Sequence, residues 1–220
     1  MATPIGNLRD ITLRALDVLR SVDLIAAEDT RTTRKLLSAH DISNSLTSCD
    51  ARSEAAAAKK IISALDDGKN VAYTSDAGTP GLSDPGKTLV RLVRKAGFRV
   101  VPIPGASATT ALLSVSGHVG KQALFEGFLS PKPGRRRKRI NELLKYEMPF
   151  ILFESPHRIL KLLSDLADLS DRRNIVMGRE LTKIYEEIVV GTADEILALL
   201  EGRESQRGEF TLLVEVEKKN

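Results

Sequence analysis

A strand, a long loop and a helix in the stretch Asn70–Thr88 constrain the fold of this chain more than any other feature. Asn70–Ser75 predicts a short buried strand, and the residues from Leu89 onward predict a helix. The loop between them contains three glycines, two prolines and two aspartates. Glycine lets backbone approach a ligand closely, and loops at the carboxyl ends of strands are where α/β proteins bind ligands. The stretch predicts a ligand-binding loop; an ordinary strand-to-helix turn is the alternative.

The same loop matches a phosphate-binding pattern letter for letter. Gly81–Thr88 fits G-x-x-x-x-G-K-[ST], between a predicted strand and a predicted helix. A phosphate cradle aims consecutive backbone N–H groups at anionic oxygens. Pro85 has no N–H group to offer, and Asp84 would place a carboxylate beside the phosphates. We therefore interpret the match as accidental and do not expect nucleoside triphosphate hydrolysis.

Composition excludes several classes of protein. The 220 residues carry a net charge of +4, which permits an anionic partner without requiring one. The single cysteine, Cys49, excludes an internal disulfide and suits a reducing cytoplasm. The three histidines are scattered, so no metal site is expected, and no apolar run is long enough to predict a membrane span. We expect a cytoplasmic protein without membrane association.

Alternating strands and helices predict the fold class α/β, in two domains. Up to residue 116 the alternation favours a parallel, helix-covered sheet that includes a strand at Phe98–Ile103. The pattern pauses at Ser114–Gly120, which places the expected boundary between domains 1–116 and 117–220. A second α/β series follows, and consecutive strands near its end predict a mixed sheet.

A basic run stands out in the second half. Lys132–Arg139 holds six cations in eight residues and no acid. Clustered arginines suit phosphate contacts, although a merely solvated basic face is the alternative. A second basic patch, at helical spacing, includes Arg31. The expected RNA-binding residues of both patches are Arg34, Lys35, Lys132, Arg135, Arg136 and Arg137.

Seven motifs in order identify a family resemblance. They are Thr3–Leu8, Ala27–Arg31, Ser75–Pro80, Pro102–Ala108, Glu126–Leu129, Phe153–Arg158 and Arg179–Lys183. Together they resemble the tetrapyrrole methylase superfamily, and within it the enzymes that methylate a cytidine ribose 2′-oxygen in small-subunit ribosomal RNA. The resemblance extends from Thr3 to about Glu215.

The resemblance implies two α/β/α domains with S-adenosylmethionine bound in the cleft between them, and a homodimer. The implied substrate is small-subunit ribosomal RNA or the assembled small ribosomal subunit. The implied cofactor-binding residues are Pro4, Gly6, Ser75, Asp76, Gly78, Thr79, Pro80, Ser107, Ala108 and Phe153. Family members have a full strand before the Thr-Pro-Ile-Gly segment, whereas only Met1–Thr3 stand there in this sequence.

A base that accepts the proton of the ribose hydroxyl would assist methyl transfer. Glu28, Asp29, Glu154 and Glu180 are the candidates for that base, and Arg31 and Lys183 are the cations that could hold a carboxylate ionised. Each of these could instead form a surface salt bridge. Two other functions stay open: methylation of a small tetrapyrrole or precorrin, and RNA binding without catalysis.

Overall fold

The chain divides into two compact units, Met1–Ser107 and Ala108–Asn220. The computed structural model describes residues 1–118, 120–170 and 173–216. The boundary lies earlier than the expected 116/117, because the helix that follows Ser107 packs on strands of the second unit. Each unit is built around its own sheet.

The first unit alternates helices and strands around a parallel sheet. Its elements are α1 (Leu13–Ser21), β1 (Leu24–Ala27), α2 (Thr30–Ala39), β2 (Leu46–Ser48), α3 (Glu54–Asp66), β3 (Val71–Thr74) and α4 (Lys87–Lys95). The strand order is β2-β1-β3, and both pairings are parallel. The short strand β2 escaped the sequence interpretation, since three half-exposed residues carry little hydrophobic signal.

The central strand β1 is buried on both sides. Ile25, Ala26 and Ala27 are all fully inaccessible to solvent. Leucines of α1 and α2 pack with Ile25, whereas α3 and α4 pack with Ala26. Two covered faces are typical of a parallel sheet, and they leave its strand ends as the place for a ligand.

The strand expected at Phe98–Ile103 does not form, so that prediction was wrong. The segment has no ladder with β3, and Ile103 instead accepts a hydrogen bond from the Ala2 N–H at 3.0 Å. The Met1 ammonium group donates to the Tyr73 carbonyl at 2.7 Å. The first residues thus lie between β3 and this segment. An apolar run specifies a strand only when a neighbouring strand is there to pair with it.

The second unit has a mixed sheet, as the sequence predicted. Its elements are α5 (Ala108–Val115), β4 (Leu124–Phe128), α6 (Pro133–Leu144), β5 (Phe150–Glu154), α7 (Ile159–Leu169), β6 (Ile175–Arg179), β7 (Glu187–Gly191), α8 (Ala193–Glu201) and β8 (Phe210–Val214). The strand order is β4-β5-β8-β6-β7; only β4 and β5 are parallel. Helices α6, α7 and α8 bury their apolar sides in one core with the sheet. Among the residues described, no helix has the length and apolarity to cross a membrane.

Candidate active site

Acidic residues from two neighbouring strands meet at one edge of the first sheet. Glu28 and Asp29 follow β1 directly, and Asp76 follows β3 after one intervening residue, Ser75. Because β1 and β3 are adjacent and parallel, their carboxyl ends lie side by side. The Asp76 N–H donates to Glu28 Oε2 at 3.1 Å, and the Asp29 N–H donates to Asp76 Oδ1 at 3.0 Å. The structure thus joins a predicted catalytic residue to a predicted cofactor-binding residue.

Burial and mutual repulsion perturb these carboxyl groups. Burial raises the pKa of Glu28 and, with the Asp29 charge, that of Asp76. Burial also raises the pKa of Asp84 to about 6, and the charges of Glu28 and Asp76 contribute. Each raised pKa reflects, first, the burial of the carboxyl group and, second, the negative charges of its neighbours. A positively charged ligand group would therefore be stabilised at this edge of the sheet.

Three of the segments expected to bind the cofactor converge within the first unit. Thr3 and Gly78 exchange two backbone hydrogen bonds of 3.0 Å, which joins the Pro4–Gly6 loop to the Ser75–Pro80 loop. The Thr79 hydroxyl donates to the Ala106 carbonyl at 3.3 Å, one residue before Ser107. The Ser75 hydroxyl closes its own loop by donating to the Gly78 carbonyl at 2.9 Å. The loops form one hydrogen-bonded surface.

Gly78 is required where two of these loops touch. Its φ angle is +76°, in the left-handed region that favours glycine. A Cβ atom at this position would lie 3.3 Å from Ile5 Cγ2. A side chain here would strain the backbone and press on the first loop.

The amino end of α4 is not a phosphate cradle. The Gly86 and Leu89 N–H groups both donate to Glu54 Oε1, at 2.9 and 2.8 Å. A carboxylate from α3 therefore occupies the place where a phosphate would bind in a P-loop. The structure supports the interpretation of the Gly81–Thr88 match as accidental. Glu54 was missed in the sequence, because nothing local links residue 54 to residue 86.

Asp29 is the N-cap residue of α2 and forms an ion pair with Arg31. Asp29 caps α2 by accepting the Arg31 N–H at 2.8 Å, and the Arg31 guanidinium group lies 2.6 Å from Asp29 Oδ2. The hydrogen bonds from Arg31 lower the pKa of Asp29 to about 2. Asp29 is thus held as a paired carboxylate, a weaker proton acceptor than Glu28.

In the second unit, Glu154 is committed to a buried ion pair. Its side chain is 0% exposed, and it accepts hydrogen bonds from Arg158 Nη2 at 2.8 Å and from the Ser155 N–H at 2.7 Å. The preceding residue, Phe153, packs edge-on against Phe125 and Phe128, with ring centroids 5.2 and 5.7 Å apart. These contacts hold the Glu154 and Phe153 side chains in place within their unit.

Glu180 and Lys183 are partners of each other. Lys183 Nζ lies 2.7 Å from Glu180 Oε1 and 3.2 Å from Glu209 Oε2. Burial opposes ionisation of Glu180, but hydrogen bonds from Lys183 and from the Glu209 N–H outweigh it and lower its pKa. Glu180 also has a φ angle of +51°, unusual for a residue with a side chain. The pair ties the turn after β6 to the segment before β8.

The basic run divides into structural and exposed cations. Arg136 is 4% exposed and its Nε donates to Asp165 at 2.6 Å, while Arg137 pairs with Asp165 and Asp168. Arg139 pairs with Glu126 and Glu142. Arg136, one of the expected RNA-binding residues, thus has a buried guanidinium group that is already paired with a carboxylate. The exposed cations are Lys132, Arg135 and Lys138 of the run, and Arg34 and Lys35 of α2.

The described residues contain no cluster of three or more His, Cys, Asp or Glu side chains arranged to hold a metal ion.

Comparison with known proteins places this architecture in a family. The family model for tetrapyrrole (corrin/porphyrin) methylases matches residues 2–197. A relative from Neisseria meningitidis serogroup B, named ribosomal RNA small subunit methyltransferase I, is 49% identical over 97% of this chain and 74% of its own length. Proteins of the same name from Borrelia garinii subsp. bavariensis and Bacillus subtilis are 48% and 44% identical; this chain covers 96% and 73% of their lengths, and each match covers 97% of this chain.

Solved structures agree on the fold. A cobalt-precorrin-4 methyltransferase superposes with a TM-score of 0.72 at 14% identity, over 98% of this chain and 92% of the other. A diphthine synthase superposes with a TM-score of 0.73 at 13% identity, over 97% and 88%. The family model and the close relatives confirm the resemblance that the seven motifs predicted. This chain belongs to the tetrapyrrole methylase family and is a methyltransferase.

Proposed function

We propose that this chain transfers a methyl group from S-adenosylmethionine to the ribose 2′-oxygen of a cytidine in small-subunit ribosomal RNA. The names of its relatives support the RNA substrate. The observation that carries the proposal is a pair of hydrogen bonds beside the three converging loops. The Asp76 N–H donates to Glu28, and the Asp29 N–H donates to Asp76. These hydrogen bonds place a carboxylate with a raised pKa next to the loops expected to hold the methyl donor.

The residues of the first unit fit S-adenosylmethionine. This ligand carries a cationic sulfonium and an ammonium group, which complement the crowded carboxyl groups of Glu28, Asp76 and Asp84. The absence of a side chain at Gly78 lets the Ser75–Pro80 loop lie against Ile5 of the first loop, which keeps these two segments together. S-adenosylmethionine supplies an activated methyl group when bound. The residues of the first unit that would hold it are Pro4, Gly6, Ser75, Asp76, Gly78, Thr79, Pro80 and Ser107, while the assignment of Ala108 and Phe153 stays a prediction.

Glu28 is the proposed general base. Its pKa is raised, and Oε2 is oriented by the Asp76 N–H. A carboxylate of higher pKa is a stronger proton acceptor for the ribose hydroxyl. Asp29, Glu154 and Glu180 are each paired with a cation, which weakens them as bases. In this proposal Arg31 and Lys183 hold their partner carboxylates in place.

The substrate is proposed to be the assembled small ribosomal subunit or its RNA, in the cytoplasm. The exposed cations Lys132, Arg135, Arg34 and Lys35 would contact phosphates, and Arg137 could contribute through its 38% exposed side chain. A homodimer is proposed as the active form. Equilibrium sedimentation would show it as the mass of two 24.0 kDa chains.

The test offers purified small subunits and labelled S-adenosylmethionine. Subunits whose target cytidine is normal should incorporate the label, and subunits with a 2′-deoxy target should not, because the acceptor atom is missing. Equal incorporation into both would refute the 2′-oxygen assignment. Incorporation into a free tetrapyrrole but not into subunits would replace RNA by a small-molecule substrate.

A further inference from the structure

A groove on the first unit is lined by cations that have no acidic partner among the residues the structure describes. It lies between α4 and the loop that precedes it and has a volume of about 500 Å³. Its lining includes Lys87, Arg91 and Arg94 on one side of α4, together with Pro80, Gly81 and Val90. No Asp or Glu side chain belongs to this lining, all of which lies in the described part of the chain.

The three cations share one face of the helix. Lys87, Arg91 and Arg94 stand at i, i+4 and i+7, a spacing that aligns side chains along one stripe. All three side chains are exposed, and none of them has a hydrogen bond or an ion pair to another described residue. The apolar residues Leu89 and Val93 of the same helix are buried in the core, so the stripe faces solvent.

Among the described residues, the cationic side chains of this helix have no acidic partner. α4 carries four cations in nine residues and no acid. Lys87 stands in the first helical turn, where the helix dipole disfavours a positive side chain. An ordinary solvated helix face mixes both signs of charge and prefers acids at its amino end. The two nearby carboxyl groups have other partners: Glu54 accepts the Gly86 and Leu89 N–H groups, and Asp84 is electrostatically coupled to Glu28 and Asp76.

The cations of α4 differ from those of α6 in how many are paired with carboxylates. The sequence draws attention to Lys132–Arg139, but three arginines of that run are neutralised by Asp165, Asp168, Glu126 and Glu142. The α4 cations are fewer and less conspicuous, yet they retain their full charge toward solvent. A polyanion gains more from cations whose charge is not already shared with a carboxylate.

We propose that this groove binds the sugar–phosphate backbone of the RNA substrate, with Lys87, Arg91 and Arg94 contacting successive phosphates. The identity of the ligand rests on the proposed function. A free nucleoside triphosphate is the competing occupant suggested by the P-loop pattern, but the amino end of α4 already holds the Glu54 carboxylate. A polymer that lies along the helix stripe uses all three cations, since phosphates repeat along a strand.

The test compares three proteins of equal fold. The first carries Lys87→Ala, Arg91→Ala and Arg94→Ala. Alanine has a high helix propensity, so these substitutions at exposed positions should preserve α4. The second also loses three positive charges, but at exposed sites on or beside other elements, through Arg14→Ala, Lys69→Ala and Lys161→Ala. The third keeps the groove charge through Lys87→Arg, Arg91→Lys and Arg94→Lys. Circular dichroism checks that each is folded.

Binding to a single-stranded fragment of small-subunit ribosomal RNA is measured over a range of salt concentrations. Each lost phosphate contact reduces the slope of log K against log salt by about 0.7, so the first variant should lose about 2. The second and third variants should keep the wild-type slope. In methyl transfer to small subunits, the first variant should raise KM with little change in kcat, and its affinity for S-adenosylmethionine should not change.

The experiment distinguishes failure of the groove proposal from failure of the proposed function. If the wild type methylates small subunits but the first variant keeps the wild-type salt slope, the groove assignment is overturned and the proposed function stands. If the wild type transfers no methyl group to subunits, the proposed function falls and the RNA identity of the ligand falls with it. Tight ATP binding by calorimetry that disappears in the first variant would overturn the assignment in favour of a free nucleotide.

Discussion

At the scale of single residues, Glu28 has two separable tasks. Its Oε2 accepts the Asp76 N–H, and its ionised carboxylate is the proposed proton acceptor. Glu28→Gln keeps an oxygen that can accept the hydrogen bond but removes the basicity. We expect kcat to fall by about 10²–10⁴-fold with little change in the affinity for S-adenosylmethionine. Glu28→Ala should reduce both, as single-turnover kinetics and calorimetry would reveal.

The pH profile gives an independent check on Glu28. A base acts only when it is deprotonated, so activity should fall as pH decreases through its raised pKa. The Glu28→Gln variant should lose this acidic limb while retaining whatever pH dependence arises elsewhere. An identical acidic limb in the variant would assign the base to another residue.

Asp84 should destabilise the fold at neutral pH. Its pKa rises from 3.8 to about 6 on folding, so the native state binds more protons than the unfolded state between these values. The free energy of unfolding therefore decreases, through this group, as pH increases across that interval. Asp84→Asn should be more stable than the wild type above pH 6, and the difference should shrink toward pH 3.8. Urea denaturation at several pH values measures it, with the exposed Asp66→Asn as the control.

At the scale of elements, the contact between α6 and α7 depends on a buried ion pair. Arg136→Ala would leave the Asp165 carboxylate, 10% exposed, with Arg137 as its one remaining partner among the described residues. We expect a loss of about 3 kcal/mol in the free energy of unfolding, at the lower end of the range for breaking a buried pair. Arg135→Ala, one residue earlier and exposed, should change it by less than about 0.5 kcal/mol. If denaturant titrations gave equal losses of stability for Arg136→Ala and Arg135→Ala, the division of the basic run into buried, paired arginines and exposed cations would be contradicted.

At the scale of the whole molecule, ligand binding should appear as added stability. A ligand at 100 times its dissociation constant raises the free energy of unfolding by about 2.7 kcal/mol. S-adenosylmethionine should produce this increase in the wild type and in Lys87→Ala. Asp76→Ala should show a smaller increase at the same concentration, because it removes a carboxylate of the proposed site and the acceptor of the Asp29 N–H. Thermal shift assays would detect the difference.

Much of the architecture could be predicted from the sequence. The alternation of strands and helices, the loop Ser75–Pro80 and the family follow from local periodicity, turn residues and ordered motifs. These features depend on residues that are close together in the chain, so a linear pattern carries them. The mixed second sheet was predicted for the same reason.

Only the tertiary structure decided which charges are available and which segments pair. Arg136 is neutralised by Asp165 and the amino end of α4 is occupied by Glu54, and both partners are about thirty residues away in the chain. Phe98–Ile103 has the composition of a strand but no neighbouring strand to pair with. Charge compensation and strand pairing are properties of residues brought together by folding, and a local pattern cannot contain them. The sequence therefore determined the family and its loops, and the fold determined which cations can meet an anion.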